Sequence, residues 1–513
     1  MTRAVARVVV DPAEAEAWLQ PRADVVLERA VAPAGASARF EAVEGPFAAY
    51  ERVVDVAPAP DGRVEVASTA VFRLAVPWFG WLFAPPTKAR LRRLPNSPSA
   101  WWAPPDRLDP RGSAVLGLLA VLSLIGGYLG TLLTQTITYA AEGFGVDGDR
   151  EQGQALATVR IGILLALLLV TLADRRGRRP LLLLTAAGGC AVAATGALAP
   201  SLPWLTASQT VARALSAALG ILITVVAAEE MPRGSRAYAI SVLGMAAALG
   251  AGLCVLALPL ADLGDHGWRA LYVLPLLALP LCRSVARAMP ESRRFVRQHR
   301  DVPLAGHGRR LALLAASTFL LALFAAPASQ FQNEFLRDER GFSAAGITAF
   351  TILTNTPGGI GVVVGGRLAD VRGRRAVGAI GLLGGTLGTV AMYLTAGPPL
   401  WLWSLVAAIL GAATIPALGV YGPELFPTSL RGRANGLIGV LAVVGSSIGL
   451  LAAGELSDRM DGLGPAISTL AFGPVLVAAL VVILYPETAH IELEDLNPED
   501  RLAPAEVPAE RTA

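Results

Sequence analysis

Three charged motifs occur twice in this chain, in the same order and at nearly constant spacing. VTLADRRGRR at 170–179 returns as GRLADVRGRR at 366–375, Glu229-x-x-Pro232-x-x-x-Arg236 returns as Glu424-x-x-Pro427-x-x-x-Arg431, and Pro290-Glu291-Ser292 returns as Pro486-Glu487-Thr488. The offsets are 196, 195 and 196 residues. Acids and arginines at helix ends suit ion pairs that form and break reversibly. The repeat therefore predicts two homologous halves that each carry the same set of ion-pairing groups.

Two arginines, Arg160 and Arg213, lie inside apolar stretches rather than at their ends. They are about seven and about ten residues from the predicted outer ends of their helices, which corresponds to depths of roughly 10 and 15 Å. Charges at such depths are costly and usually functional, and an arginine fork binds anionic groups. We expect both arginines, together with Gln209, to bind substrate. The alternatives are that Arg160 extends outward to water or that each arginine binds backbone carbonyls between helices.

Amide and hydroxyl side chains cluster in three other apolar stretches. Because amides bind hydroxyl and carboxylate groups, we predict a cavity lined by Tyr128, Gln135, Gln330, Asn333 and Asn355. Asn355 precedes Thr356-Pro357, where proline frees helix carbonyls. Hydrogen bonding between helices is the alternative role for such groups.

The elements that must position these residues are membrane helices. The chain of 513 residues is 54% hydrophobic and 16% charged, and soluble domains carry about 25% charged residues. Twelve stretches are long and apolar enough to span a bilayer: 113–139, 153–173, 180–199, 203–228, 237–261, 270–288, 311–334, 344–366, 376–396, 399–422, 434–455 and 464–485. We therefore predict an all-α membrane protein with two pseudo-symmetric six-helix bundles at 111–288 and 311–488, joined by a cytoplasmic loop at 289–310.

The distribution of arginine predicts orientation. Eighteen arginines lie in the loops after helices 2, 4, 6, 8 and 10, against five in the loops on the other side. The positive-inside rule assigns the arginine-rich side, both termini and the tail at 489–513 to the cytoplasm, and the chain to the cell membrane.

Residues 1–110 have a different pattern, and we predict a small α+β cytoplasmic region that ends in a linker. YERVVDV and GRVEVASTAVFRLAV alternate around Pro60-Asp61-Gly62, which predicts two strands joined by a turn. The following segment, 78–93, combines aromatic residues with a basic end. It fits either an amphipathic segment on the anionic inner leaflet or an edge of the small domain's own core.

Several classes of function lack support in the sequence. The three cysteines all lie in apolar stretches, no metal-ligand spacing occurs, and no G-x-x-x-x-G-K-[ST] phosphate loop occurs. The net charge of +3 is too small to indicate nucleic acid binding. We expect no cofactor, no metal, no enzymatic activity and a monomer whose partners are membrane lipid, a small-molecule substrate and protons.

From about 112 to 490 the chain resembles the major facilitator superfamily, whose loop between helices 2 and 3 carries G-x-L-A-D-R-x-G-R-R. The first copy keeps Leu172, Ala173, Asp174, Arg175, Gly177, Arg178 and Arg179, with Val170 in place of glycine, and the second copy keeps Gly366. The Pro-Glu-Ser, Glu-Leu-Phe-Pro-Thr and Pro-Glu-Thr motifs resemble the sugar-porter and metabolite-symporter branches.

The resemblance implies a gate on the cytoplasmic side. One network would contain Arg178, Arg179, Glu229, Arg236 and Glu291 beside Asp174, and its partner Arg374, Arg375, Glu424, Arg431 and Glu487 beside Asp370. Each aspartate is placed to meet a helix N-terminus of the neighbouring bundle. The alternative is that these residues only fix topology and loop folding. The sugar-porter branch would carry an acid in helix 1, which this chain lacks, so Glu334 is the candidate proton carrier.

These observations predict a secondary active transporter that moves a small organic metabolite, anionic or sugar-like, by proton-coupled alternating access. Two alternatives stay open: an efflux antiporter for drugs or metabolites, and a membrane nutrient sensor that uses the N-terminal region to report occupancy.

Overall fold

The computed structural model describes residues 1–32, 35–95, 100, 102–145, 155, 158–159, 162–257, 260–261, 264, 266–293, 304–332, 335–342, 344–460 and 462–500. The chain divides into two compact units, Met1–Leu119 and Ala120–Ala513. The first unit contains a β-sheet and the beginning of the first long apolar helix. The second unit is helical in its described residues.

The first unit is built on one antiparallel sheet. Its strands are β1 (Thr2–Val10), β2 (Leu27–Val31), β3 (Ala38–Glu44), β4 (Phe47–Pro58) and β5 (Val64–Leu74), in the order β1-β5-β4-β3-β2. β4 and β5 pair antiparallel across the turn at Pro60–Gly62, where Asp61 has a φ of 62°. The β-structure predicted around Pro60-Asp61-Gly62 is thus confirmed.

Two helices, α1 (Pro12–Trp18) and α2 (Gly80–Leu91), belong to the first unit.

The buried carboxylate of Glu28 accepts hydrogen bonds from the Arg52 guanidinium at 2.6 Å and from the Tyr50 hydroxyl at 2.5 Å. A charge taken out of water needs such partners. The sheet therefore contains a satisfied ion pair in its interior.

The second unit continues as a series of helices. After α3 (Pro110–Gly143), the described helices are α4 (Gly162–Arg176), α5 (Arg178–Ala194), α6 (Leu202–Glu230), α7 (Arg236–Ala257), α8 (Arg269–Val273), α9 (Leu279–Ala288), α10 (Gly308–Gln330), α11 (Ala344–Asn355), α12 (Gly358–Arg372), α13 (Arg374–Leu394), α14 (Pro398–Gly419), α15 (Tyr421–Glu424), α16 (Arg431–Arg459), α17 (Leu463–Leu470), α18 (Phe472–Leu484) and α19 (Leu493–Leu496). Among the described residues, ten helical segments are long and apolar enough to cross a membrane.

Two of the twelve predicted spans are not among these ten. Predicted helix 2 is described as a continuous helix only in Gly162–Arg176, and predicted helix 8 is divided into α11 and α12 around Thr356-Pro357. A proline lacks the amide hydrogen that would continue the helix, which explains the break. The predicted mostly helical architecture with candidate membrane spans is confirmed, and the number twelve stays a prediction.

The helices of the second half approach each other closely at small residues. A Cβ atom added to Gly385 of α13 would lie 2.6 Å from the Cα atom of Gly411 in α14. Such contacts between backbones are typical of helix packing in membranes. There the hydrophobic effect does not drive helices together, and small residues let the backbones approach closely enough for van der Waals packing.

Candidate functional site

The repeated glycine-arginine motifs form equivalent turns at one end of each half. Gly177 separates α4 from α5 with a φ of 105°, and Gly373 separates α12 from α13 with a φ of 100°. Both values favour glycine. The Glu291 carboxylate accepts the backbone amides of Arg178 and Arg179 at 2.9 and 3.1 Å.

Glu487 accepts the equivalent amides of the second half, those of Arg374 and Arg375, at 2.9 and 3.2 Å. A carboxylate at a helix N-terminus meets unpaired N–H groups and the positive end of the helix dipole. Each glutamate thus fixes the beginning of a helix in its own half. The guanidinium groups of Arg179 and Arg375 donate to carbonyls in the same half, those of Ala286 and Val482.

The first of two buried ion-pair triads is centred on Glu229. Its carboxylate lies 3.1 Å from the Arg431 guanidinium and 3.5 Å from that of Arg178, and it accepts a hydrogen bond from the Ser292 hydroxyl at 2.6 Å. Arg431 belongs to the second half, whereas Glu229 and Arg178 belong to the first. The Arg178 guanidinium also donates to the Thr428 carbonyl of the second half at 2.7 Å.

The second triad repeats this arrangement with the halves exchanged. The Glu424 carboxylate lies 3.2 Å from the Arg236 guanidinium of the first half and also pairs with Arg374 of its own half. Arg374 in turn donates to the hydroxyl of Thr488, the residue that corresponds to Ser292 in the repeat, at 2.8 Å. The side chains of both glutamates and of Arg236 and Arg431 are 0% exposed.

The grouping of the arginines by half was therefore wrong for Arg236 and Arg431. Each pairs with the glutamate of the opposite half. Each of these arginines stands at the beginning of a new helix, α7 or α16, after the Glu-x-x-Pro turn.

Asp370 makes a further contact between the halves. Its carboxylate accepts the backbone amides of Ala237 and Tyr238, at the start of α7, at 3.3 and 2.9 Å, and pairs with Arg374 at 3.1 Å. This is the predicted meeting of a carboxylate with a helix N-terminus of the neighbouring bundle. The side chain of its counterpart, Asp174, lies outside the described part of the structure.

Sequence reasoning missed the segment after the last membrane helix, which it treated only as a tail. Asp500 pairs with Arg431 at 3.3 Å and accepts the backbone amide of Thr428 at 3.0 Å. Asn497 donates to the Glu424 carbonyl at 2.7 Å. The acidic run that begins at Glu492, in a chain whose repeated motifs are rich in arginine, is the signal in the sequence that indicates these contacts.

The tail also reaches the first half. The Arg236 guanidinium donates to the Ile491 carbonyl at 3.2 Å and lies 3.8 Å from the Glu492 carboxylate.

The Glu229 triad contains two cations and one anion, and Asp500 supplies the second anion. A buried excess charge is costly, so this neutralisation stabilises the arrangement.

Arg213 lies about 17 Å from the start of α6, well inside an apolar helix. Its guanidinium is half-buried and donates to the Gly130 carbonyl of α3 at 2.8 Å. Gln209 is buried and donates to the Ala193 carbonyl of α5 at 3.3 Å, and the half-buried Tyr128 donates to the Leu271 carbonyl at 2.8 Å. These contacts agree with the alternative of bonding between helices, and the predicted binding role of all three residues stays a prediction.

A cavity of about 390 Å³ lies within the second half. Its polar lining includes Asn355, Gln332, Thr386 and Thr389, and the rest of the lining is mostly apolar. Volumes of this order accommodate small organic molecules, and amide and hydroxyl groups hydrogen-bond to sugars or carboxylates. Asn355 thus lines a cavity, and its binding role stays a prediction. Gln330 is exposed at the end of α10.

Three predicted residues, Arg160, Asn333 and Glu334, lie outside the described residues. Gln135 is half-buried in α3. Among the residues that the structure describes, no group of histidine, cysteine, aspartate and glutamate is arranged to hold a metal ion.

Comparison with known proteins gives a match to one family model and to several curated proteins. Residues 311–506 match the family model described as Major Facilitator Superfamily. The chain is 33% identical over 128 residues to "Solute carrier family 22 member 7" of Bos taurus, which covers 24% of this chain and 22% of that protein. It is 34% identical over 119 residues to "Puromycin resistance protein pur8" of Streptomyces alboniger, 22% of each.

A third relative is "Multidrug efflux pump Tap" of Mycolicibacterium fortuitum, with 32% identity over 111 residues, 21% of this chain and 27% of that protein. The chain thus matches about a quarter of the length of these curated relatives. Their names describe transporters and resistance proteins rather than enzymes, which agrees with the predicted absence of enzymatic activity.

Solved structures share the fold. The proton:xylose symporter XylE superimposes with a TM-score of 0.65 at 17% identity over 75% of this chain and 98% of that one. The human organic anion transporter MFSD10 gives a TM-score of 0.60 at 17% identity over 72% and 98%. The transporter FucP in its outward conformation gives 0.60 at 13% identity over 72% and 98%.

Proposed function

We propose that this chain, which has the fold of the Major Facilitator Superfamily, is a secondary active transporter that moves a small organic anion across the cell membrane by alternating access. The matched family and the solved neighbours support membrane transport as the general activity. Substrate, direction and coupling are our proposals.

The two exchanged triads are the observation that carries this proposal. Glu229 binds one arginine of each half, and Glu424 does the same with the halves reversed. A rocking transporter must join its halves on one side of the membrane in one state and separate them in the other. Ion pairs across the division between halves provide a closed state whose bonds are lost on opening. The halves are joined by such pairs at the charged end, which is the end that carries the repeated motifs. We therefore assign the structure to a conformation closed on that side.

Arg213 supports an anionic substrate. A cation at this depth in an apolar helix is costly unless it binds an acceptor, and a guanidinium is suited to carboxylates and phosphates. The Gly130 carbonyl accepts a hydrogen bond from the Arg213 guanidinium at 2.8 Å. We propose that an anionic group of the substrate binds the same guanidinium, and that Asn355 and Gln332 bind its hydroxyl or amide groups.

The test is a thermal-unfolding screen of the purified full chain against sugars, aliphatic carboxylates and aromatic carboxylates. A ligand at about 100 times its Kd stabilises a single-site protein by about 2.7 kcal/mol. We expect one class of carboxylate to stabilise the wild type and to have no effect on Arg213→Gln.

Arg269→Gln is the matched control. The Arg269 guanidinium also donates to a helix carbonyl, that of Ala197, at 2.7 Å, but it lies at the start of α8. This variant loses an equivalent bond and should still respond to the carboxylate. Equal stabilisation of Arg213→Gln and wild type by the same anion would contradict the proposed role.

An efflux antiporter is a second candidate, favoured by the names of the relatives from Streptomyces alboniger and Mycolicibacterium fortuitum. Flux into proteoliposomes distinguishes the two. An inward-directed proton gradient should drive uptake by a symporter, whereas an outward-directed gradient should drive uptake by an antiporter. The proton-carrying role of Glu334 is part of the same proposal, and Glu334→Gln should abolish gradient-driven uptake while leaving exchange of substrate for substrate intact.

A further inference from the structure

One surface of the N-terminal unit combines exposed aromatic residues with a basic end. Four apolar residues in or just before the first turn of α2 are exposed and make up the aromatic patch: Trp78, Trp81, Leu82 and Phe83, of which Trp81 is 73% exposed. Aromatic residues of this size usually enter the core of a small domain. Their exposure therefore requires an explanation.

The rest of α2 is fixed firmly to its own domain. Arg90 is buried and pairs with Asp24 at 2.8 Å. Arg22, also buried, donates to the carbonyls of Arg90 and Arg93 at 3.2 and 2.9 Å, where the helix ends. Leu91 is buried in the domain core. The C-terminal half of α2 thus holds the helix in place while its N-terminal half presents the aromatic patch outward.

The chain immediately before the patch touches the first apolar helix. A Cβ atom added to Gly117 of α3 would lie 2.9 Å from the Cδ atom of Pro77 and 3.2 Å from a methyl group of Val76. The span Pro110–Ile137 has 28 residues and is therefore about 42 Å long, as long as a bilayer with both headgroup regions. Gly117 lies about 10 Å from its start, near the boundary between headgroups and hydrocarbon.

We propose that the patch at 78–83 lies in the lipid headgroup region and anchors the N-terminal unit to an anionic membrane surface. Tryptophan prefers this region because its ring is apolar and its N–H finds water or headgroups. The exposed Arg92 and Arg93, at the other end of α2, would bind anionic headgroups. The sequence left two roles open for segment 78–93, and each half of α2 takes one of them. The C-terminal half belongs to the domain core, and the N-terminal half belongs to the lipid surface.

The experiment compares two equally exposed positions in the full chain reconstituted in bilayers that contain phosphatidylglycerol. Leu82 is 53% exposed in the patch, and Val43 is 56% exposed in β3. Each is replaced by cysteine and carries a nitroxide label. The native cysteines Cys190, Cys254 and Cys282 are buried and should react slowly.

We expect the label at 82 to collide with oxygen several-fold more often, relative to a water-soluble nickel chelate, than the label at 43. Equal ratios at both positions would overturn the proposal. So would a label at 82 that is shielded from both reagents, because it would indicate that protein, such as a second copy of the chain, covers the patch.

The anionic requirement has its own test in the same samples. Bilayers of phosphatidylcholine alone, or the double variant Arg92→Gln/Arg93→Gln in phosphatidylglycerol, should lower the ratio at 82 and leave the ratio at 43 unchanged. If neither change affects position 82, the headgroup contacts of the two arginines are refuted.

Discussion

Replacing Arg431 by glutamine should favour opening of the charged end. Of the contacts described for its guanidinium, those to the Phe426 carbonyl and to Asp500 stay within the second half, and the one to Glu229 joins the halves at 3.1 Å. Movement of one half against the other would break only the last of these. Its loss therefore changes the balance between closed and open states.

The size of the effect follows from the contacts that remain. Removing one partner of a buried ion pair typically costs about 3–5 kcal/mol when it leaves an uncompensated charge. Glu229 would keep Arg178 at 3.5 Å and the Ser292 hydroxyl at 2.6 Å, so the cost should be nearer that of one charged hydrogen bond, about 1.5–3 kcal/mol. This corresponds to a shift of about 10- to 150-fold toward the open state.

Distances between spin labels at the exposed positions 288 and 372, at the charged ends of the first and second halves, measure that shift. We expect Arg431→Gln to add or enlarge a population at longer distance. Arg236→Gln, its counterpart in the other triad, should do the same.

Arg375→Gln is the control, because the Arg375 guanidinium donates to the Val482 carbonyl of its own half. An unchanged distance distribution in Arg431→Gln, or an equal change in the control, would refute the gate.

Two further predictions concern the turn of the second half and the N-terminal unit. Gly373→Ala should destabilise the protein by more than about 1 kcal/mol in thermal unfolding, because φ is +100° and the new Cβ would lie 2.8 Å from a Glu487 oxygen. Gly145→Ala, with a φ of +69° and open space, is its control and should cost less. In Asp24, burial raises the carboxyl pKa, but the hydrogen bond from Arg22 and the charges of Arg22 and Arg90 outweigh it and lower the pKa below its usual value. A folded-state pKa below the unfolded one gives stability that is present above the unfolded pKa and is lost as pH falls from the usual pKa of an aspartate through the lower folded pKa. Digestion by pepsin should accelerate over that range at the peptides around α2, and Asp24→Asn should flatten the dependence, whereas an unaltered profile would contradict the pairing.

The repeated motifs made it possible to predict many of the residues whose contacts join the two halves at the end that carries these motifs. Gly177 and Gly373 occupy the same place in the two copies of the motif, and both have positive φ. This conformation follows from local chemistry, since a helix-to-helix turn of this kind needs a residue without a side chain. The β4–β5 hairpin around Asp61 was predictable for the same reason, because alternation and turn residues are local signals.

Partners across the halves were not predictable in this way. Arg236 is seven residues from Glu229 in sequence, yet it binds Glu424, 188 residues away. Two halves with corresponding motifs offer two chemically similar pairings, and the spacing of the motifs does not distinguish between them. Arg213 illustrates a different limit: the sequence indicated that it needs an acceptor, but Gly130 carries no side chain that could have identified its carbonyl as that acceptor.

The tail breaks the symmetry of the gate in a way that bears on how it opens. Among its described contacts with the second half are those of Asp500 with Thr428 and Arg431, and of Asn497 with the Glu424 carbonyl. Its described contacts with the first half include those of Arg236 with Ile491 and Glu492, and of Arg233 with Glu492. If the halves separate, the tail should therefore move with the second half and leave Arg236. Arg236 would then lose Glu424, the Ile491 carbonyl and Glu492 together, whereas Arg431 would keep Asp500. The two triads contain corresponding glutamates and arginines, but opening is costlier at Arg236, and the tail is the cause of that difference.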